Sequence, residues 1–256
     1  ISNKIQVIKW AIDNKIEYSE DAVCSACLYG NLDILILLLS SGFLLKASKH
    51  RTPCGLAIQG NHTHVVKYLI EDALKNNTGC AFEAQSLAYA SLNGNLEMVK
   101  LLISFGFKWI VPPTYFGADH YVISEAARGG HLELIKWMKQ EGCPWGTSTF
   151  REASGFGNIE MMEWIRDNGC PFDESSIIYA SSNGKLDAVK WLRSNGCPWD
   201  IRAVFASAYH GEMDTLGWLI DNGCPCIIDE QSHSYTSLVL RGKSNVLQWI
   251  IDRRNG

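Results

Sequence analysis

An all-α solenoid of stacked helix-turn-helix units is the fold class this sequence predicts, and three observations predict it. One phrase recurs with fixed spacing: Gly130-His-Leu-Glu-Leu-Ile-Lys-Trp137, Gly157-Asn-Ile-Glu-Met-Met-Glu-Trp164, Gly184-Lys-Leu-Asp-Ala-Val-Lys-Trp191 and Gly211-Glu-Met-Asp-Thr-Leu-Gly-Trp218. Their anchor glycines are 27 residues apart each time. A constant step of this size marks a stacked repeat array rather than a domain with one central core. Apolar residues within each phrase also keep helical spacing, as in Leu132, Leu134, Ile135 and Met138. Every copy then ends in Gly-Cys-Pro, at 142–144, 169–171, 196–198 and 223–225.

With the phrase as a ruler, further anchors fall at Asn3, Gly30, Asn61, Gly94 and Gly242, giving steps of 27, 31, 33, 36, 27, 27, 27 and 31. That is about eight units with ragged ends, read as one array over residues 1–256. Each unit is expected to hold two antiparallel helices. The second starts at the anchor and ends at a glycine twelve positions on, where a left-handed cap costs little. Proline two residues later keeps that helix from resuming. The shorter first helix carries an apolar residue seven before the anchor (Val23, Cys54, Leu87, Ile123, Phe150, Ile177, Val204). Four before the anchor stands a small one (Ala26, Ala57, Ala90, Ala126, Ala153, Ala180, Ser207), which permits close helix packing. Thr52-Pro53 has N-cap chemistry, and Ser148 and Ser175 fill the same slot later. The recurrent Trp (10, 137, 164, 191, 218, 249) is in phase with the apolar face, so we read it as buried inter-repeat packing. A buried Trp hides roughly 150–250 Å².

Composition narrows the function classes. The net charge is −4, whereas a nucleic-acid surface usually carries a basic excess. No run of about 18 apolar residues is present, so a membrane partner is not expected. Nine cysteines are an odd count, and four repeat in one slot (143, 170, 197, 224), which suits reduced structural thiols better than a disulfide framework. Such thiols predict a reducing compartment, the cytoplasm.

These residues resemble ankyrin repeats. Thr52-Pro53-Cys-Gly-Leu-Ala57 is similar to the Thr-Pro-Leu-His-x-Ala opening of that family, with Cys54 for Leu and Gly55 for His. Asn93-Gly94-Asn-Leu-Glu-Met-Val-Lys-Leu-Leu102 is similar to its second helix, and the step from 61 to 94 equals its usual 33 residues. The regular block departs from the pattern, because 27-residue units lack most of the β-hairpin finger between typical units. Tandem short units ending in Gly-Cys-Pro-Trp look like the ankyrin-repeat proteins of giant DNA viruses of amoebae; a viral source would place the chain in host cytoplasm or a virion.

No residue set assembles an active site. Cys24-x-x-Cys27 lacks a second pair at zinc-finger distance, and His62-x-His64 reads as a solvated helix start. Acid and lysine three apart (Glu97–Lys100, Glu133–Lys136, Asp187–Lys190) read as exposed helix pairs. We expect no catalysis, no cofactor and no metal. The resemblance instead implies a protein-binding concave face, made by variable first-helix positions: Tyr89, Glu125, Glu152 and Tyr179, with Asn93, Phe156, Asn183 and His210 nearby. Nine extra residues between anchors 94 and 130 form a loop carrying Trp109, Tyr115 and Phe116, residue types that dominate interface energies or else cover the irregular junction. The joint from Phe43 to Arg51 carries Lys46, Lys49, His50 and Arg51, too small a patch for nucleic acid.

The chain opens in a second helix with Trp10 and stops after another with Trp249, without polar capping units, so we expect it to be part of a longer protein. The reading is a non-catalytic protein-protein interaction scaffold. Two other roles stay open on this evidence: a structural component of a large particle, and the substrate-recruiting arm of a ubiquitin-ligase-type complex.

Overall fold

The computed structural model describes residues 2–14, 21–45, 52–76, 85–109, 122–226, 236 and 239–255. Helices are the regular elements among them, with no strand. The chain divides into two compact units, residues 1–112 and 113–256.

The first unit begins with α1 (Ser2–Asp13) and continues in three helix pairs. These are α2 (Asp21–Leu28) with α3 (Leu32–Ser40), α4 (Pro53–Gln59) with α5 (Thr63–Asn76), and α6 (Ser86–Leu92) with α7 (Leu96–Ser104). The second unit holds four more pairs. They are α8 (Val122–Arg128) with α9 (Leu132–Gln140), α10 (Thr147–Phe156) with α11 (Ile159–Asp167), α12 (Glu174–Ser182) with α13 (Leu186–Ser194), and α14 (Ile201–His210) with α15 (Met213–Asp221). Helix α16 (Ser244–Asn255) closes it. Each pair is the one expected from its anchor.

The slots behave as their chemistry requires. All seven residues seven before an anchor are buried, and so are all seven small residues four before it. Between the helices of a pair the chain reverses through a left-handed residue at the anchor. Its necessity shows at Asn61, where φ is +63° and the slot is filled without glycine. The next N–H then reaches back to the small residue's carbonyl, as His131 to Ala126 at 3.0 Å and Lys185 to Ala180 at 2.9 Å. The same closure ends the four second helices of the second unit: Cys143 donates to Met138, Cys170 to Ile165, Cys197 to Leu192 and Cys224 to Leu219, at 2.9–3.0 Å.

The recurrent cysteine also seals one repeat onto the last. The thiols of Cys170, Cys197 and Cys224 donate to the carbonyls of Gly146, Asp173 and Asp200, at 3.5, 3.2 and 3.4 Å. Burial pushes Cys143, Cys170 and Cys224 up to about 12 and Cys197 to about 11, so these thiols stay protonated. Cys27, Cys143, Cys170, Cys197 and Cys224 carry free thiols. Cys54 is disulfide-bonded, which corrects the expectation of reduced thiols throughout. Spacing along the chain does not show which sulfurs come within bonding reach, so the sequence carried no sign of it.

Four further expectations are corrected. The recurrent tryptophans are only half-buried, and Trp10 is 60% exposed. They still join repeats: Trp191 stacks on Phe150 at 6.2 Å, and Trp164 and Trp218 meet Trp145 and Trp199 at 6.1 and 6.0 Å. Neighbouring cations stand over ring faces, Arg166 over Trp191 and Arg193 over Trp199, at 5.0 and 4.4 Å. Their packing is thus a flank contact, and the full area of the ring is not hidden.

Second, Ser148 and Ser175 are not N-caps. Helix α10 is capped by Gly146 without a side chain, and α12 by Asp173, which accepts from the Ser175 N–H at 3.0 Å. Thr52 does cap α4, accepting from the Gly55 N–H at 2.9 Å. Third, Glu97 pairs with Lys67 in the preceding repeat, a contact that stacking creates across units. The pairs Glu133–Lys136 and Asp187–Lys190 form as expected, at 2.6 and 3.9 Å. Fourth, His62 and His64 are inter-repeat ties. Their Nε2 atoms lie 3.0 and 3.1 Å from the carbonyls of Leu28 and Gly30, backbone acceptors that the array brings within reach.

Candidate functional site

The first helices supply the best-formed surface. In the second unit α8, α10, α12 and α14 pack side by side, each pressed to the next through its small and apolar slots. Their other flank carries one residue per repeat toward a common row.

Across α8, α10 and α12 this row opens into a groove of about 430 Å³. It is lined by Arg128, Glu152, Phe156, Tyr179, Asn183 and Lys185, with Gly155 beneath Tyr179. Gly155 explains how the ring lies so close to α10. A Cβ there would stand 2.3 Å from the Tyr179 ring. Phe156 is 45% exposed, and its ring crosses Gly130 in the preceding repeat.

The charges are arranged unevenly. Glu152 is 6% exposed, and its Oε1 accepts from Arg151 at 2.9 Å. The Tyr179 pKa is raised, first by burial, then by the Glu152 charge and by a hydrogen bond to the Glu152 carboxylate, while Arg128 and Arg151 oppose that rise. Arg151 stands over the Tyr179 ring at 5.8 Å. Glu125 is buried too, 3.6 Å from the exposed guanidinium of Arg128. Lys185 has no ion-pair partner among the described residues; its stem lies over Gly157.

Of the residues singled out in the sequence, Glu152 and Tyr179 therefore meet in one groove, joined by Phe156 and Asn183. Glu125 does not line it, being turned into the packing between helices. Tyr89 is half-buried on α6 in the first unit, and Trp109 is half-buried just beyond α7. Tyr115 and Phe116 lie outside the described residues, as do Lys46, Lys49, His50 and Arg51. Asn93 ties its repeat to the one before, donating to the Ile58 carbonyl at 3.2 Å.

Sequence reading missed Arg128 and Lys185, which stand two before one anchor and one after another. It passed over Gly155 as well. A lone glycine inside a helical pattern signals a close approach, and that clue was available. Among the described residues, no three or more His, Cys, Asp or Glu converge on a point that could hold a metal ion. No described helix is long and apolar enough to cross a membrane.

Comparison with known proteins agrees with the repeat fold. Residues 23–112 match the family model described as ankyrin repeats, in three copies. An ankyrin repeat protein of Acanthamoeba polyphaga mimivirus is 26% identical over 159 residues, which cover 53% of this chain and 33% of that protein. A second from the same virus is 31% identical over 99 residues, covering 38% of this chain and 16% of its own length. The chain thus spans a third or less of these relatives. It carries ankyrin repeats and is homologous, at low identity, to mimivirus ankyrin repeat proteins. Such repeats are generally protein-protein interaction modules, and the family is typically non-catalytic.

Proposed function

We propose that this chain is a non-catalytic scaffold that binds a protein partner through its first-helix face, the concave face expected of such an array. One observation carries the reading: α8, α10 and α12 place a half-exposed row, Arg128, Phe156 and Tyr179, across three successive repeats on one packed support. A surface assembled in this way is already ordered before contact. Binding then costs little conformational entropy, which is the main expense for flexible interfaces. Exposed rings beside charged groups suit a protein contact, since aromatic residues and arginine are enriched where interface energy concentrates. The loop carrying Trp109, Tyr115 and Phe116 is proposed as a second contact edge, because insertions in repeat arrays often lie along the binding side.

Cross-linking in native extract tests this. A photoreactive residue at position 156 or 179 is expected to capture one protein in stoichiometric yield. The same residue at exposed position 141, past the end of α9, is expected to capture none. Equal capture from all three positions would refute the proposed face.

A further inference from the structure

We propose that the groove across α8, α10 and α12 recognises an acidic segment of the partner, whose carboxylate is received jointly by Arg128 and Lys185. This rests on the reading of the first-helix face as the binding face, and it names the chemistry of what binds there.

The sign of the groove is the argument. Residues 122–226 carry fourteen acidic against nine basic side chains, so the stretch that builds the groove is acidic on balance. The groove reverses that sign. Its lining holds two cations with exposed heads, Arg128 and Lys185, and one acid, Glu152, which is covered and already bonded to Arg151. Arg128 is held only loosely, 3.6 Å from Glu125, and Lys185 has no ion-pair partner among the described residues. Glu212 touches Gly184 next to Lys185 but does not line the groove. A cationic spot within an acidic surround steers a carboxylate to one place and rejects it elsewhere.

The remaining features fit an extended peptide better than a free anion. The exposed ring of Phe156 and the half-buried ring of Tyr179 offer apolar contact beside the cations. The volume of about 430 Å³ matches a few residues rather than a folded domain.

The experiment is selection of a phage-displayed random peptide library on the whole chain, followed by titration of the enriched peptide in synthetic form. We expect Asp or Glu to be enriched beside an apolar residue. Affinity should fall at least about tenfold in Arg128→Glu/Lys185→Glu, several-fold in Lys185→Glu alone, and steadily with added salt. Lys185→Glu removes no ion pair among the described residues, so it serves as the control should the double variant unfold. Enriched peptides without an acidic excess, or bound equally by Lys185→Glu, overturn the acidic-segment proposal. If such peptides still lose binding in Phe156→Ala/Tyr179→Ala, the binding face itself stands. Peptides indifferent to all these variants, or a library that yields no binder, count against both.

Discussion

The thiol of Cys197 donates to the backbone carbonyl of Asp173, 3.2 Å away in the preceding repeat. Cys170 and Cys224 repeat the contact on Gly146 and Asp200. Each accepting carbonyl belongs to the residue that caps a first helix, so the thiol fastens one repeat to the start of another. In these repeats Cys fills the slot with a small, apolar side chain that can also donate, whereas Phe43 and Phe107 fill it in the first unit without a side-chain donor.

Cys197→Ala is therefore expected to cost ~1–2 kcal/mol, from a lost hydrogen bond and a small cavity. Urea unfolding followed by circular dichroism measures it. A variant as stable as the parent would show that the thiol contact contributes nothing.

The same thiols predict a dependence on pH. In the folded chain they titrate at about 12 (Cys143, Cys170, Cys224) or about 11 (Cys197), and in an unfolded chain at ~8.5. Above about pH 8.5 the native state thus binds more protons than the unfolded one, so stability falls as pH rises. Their contribution is complete below that pH and is lost progressively toward about pH 12. Urea midpoints from pH 8 to about 10.5 should decline more steeply in the parent than in a variant with Ala at all four positions. Parallel lines would contradict the assignment.

Arg151 and Glu152 form a pair in which the acid is buried and the base is 38% exposed. Arg151→Ala leaves the carboxylate covered and uncompensated, and we expect a loss of ~2–3 kcal/mol, below the range for a wholly buried pair because Arg151 is partly hydrated. Arg151→Ala/Glu152→Gln should recover most of it. A double-mutant cycle with no coupling would show that the two do not act together.

Gly30 sits at φ +68° with the His62 ring of the next repeat against it. Gly30→Ala meets two obstacles, a left-handed backbone and a Cβ 2.4 Å from that ring. The expected cost is ~2–3 kcal/mol, of which Gly30→Ala/His62→Ala removes the steric share but not the backbone share. Thermal melts of the single and double variants separate the two.

Phe150 is fully buried, with Phe172 at 4.8 Å and Trp191 at 6.2 Å. Phe150→Ala should cost ~3–5 kcal/mol, among the largest single effects in the second unit. Phe150→Leu should cost less than half of that, since most of the volume is kept. Equal losses would point to the ring contacts rather than to volume.

The sequence by itself determined the repeat, its helix pairs and its buried slots. Those follow from local rules: a left-handed residue between the helices of each pair, Gly-Cys-Pro at the second-helix ends of the regular block, and apolar residues on one helical face. Val23, Phe150 and Ile177 are buried because period and hydrophobicity leave them no other side. Only the tertiary structure decided what faces what across repeats. Lys67 rather than Lys100 faces Glu97, and Glu125 turns inward while Tyr179 stays at the surface. The tryptophans flank the stack instead of filling it. Arg128, Glu152 and Lys185 share a groove although 57 residues separate the first from the last. Each of these depends on the offset between neighbouring repeats, which packing sets through side-chain shape. A pattern that records only which residues are apolar does not carry that offset.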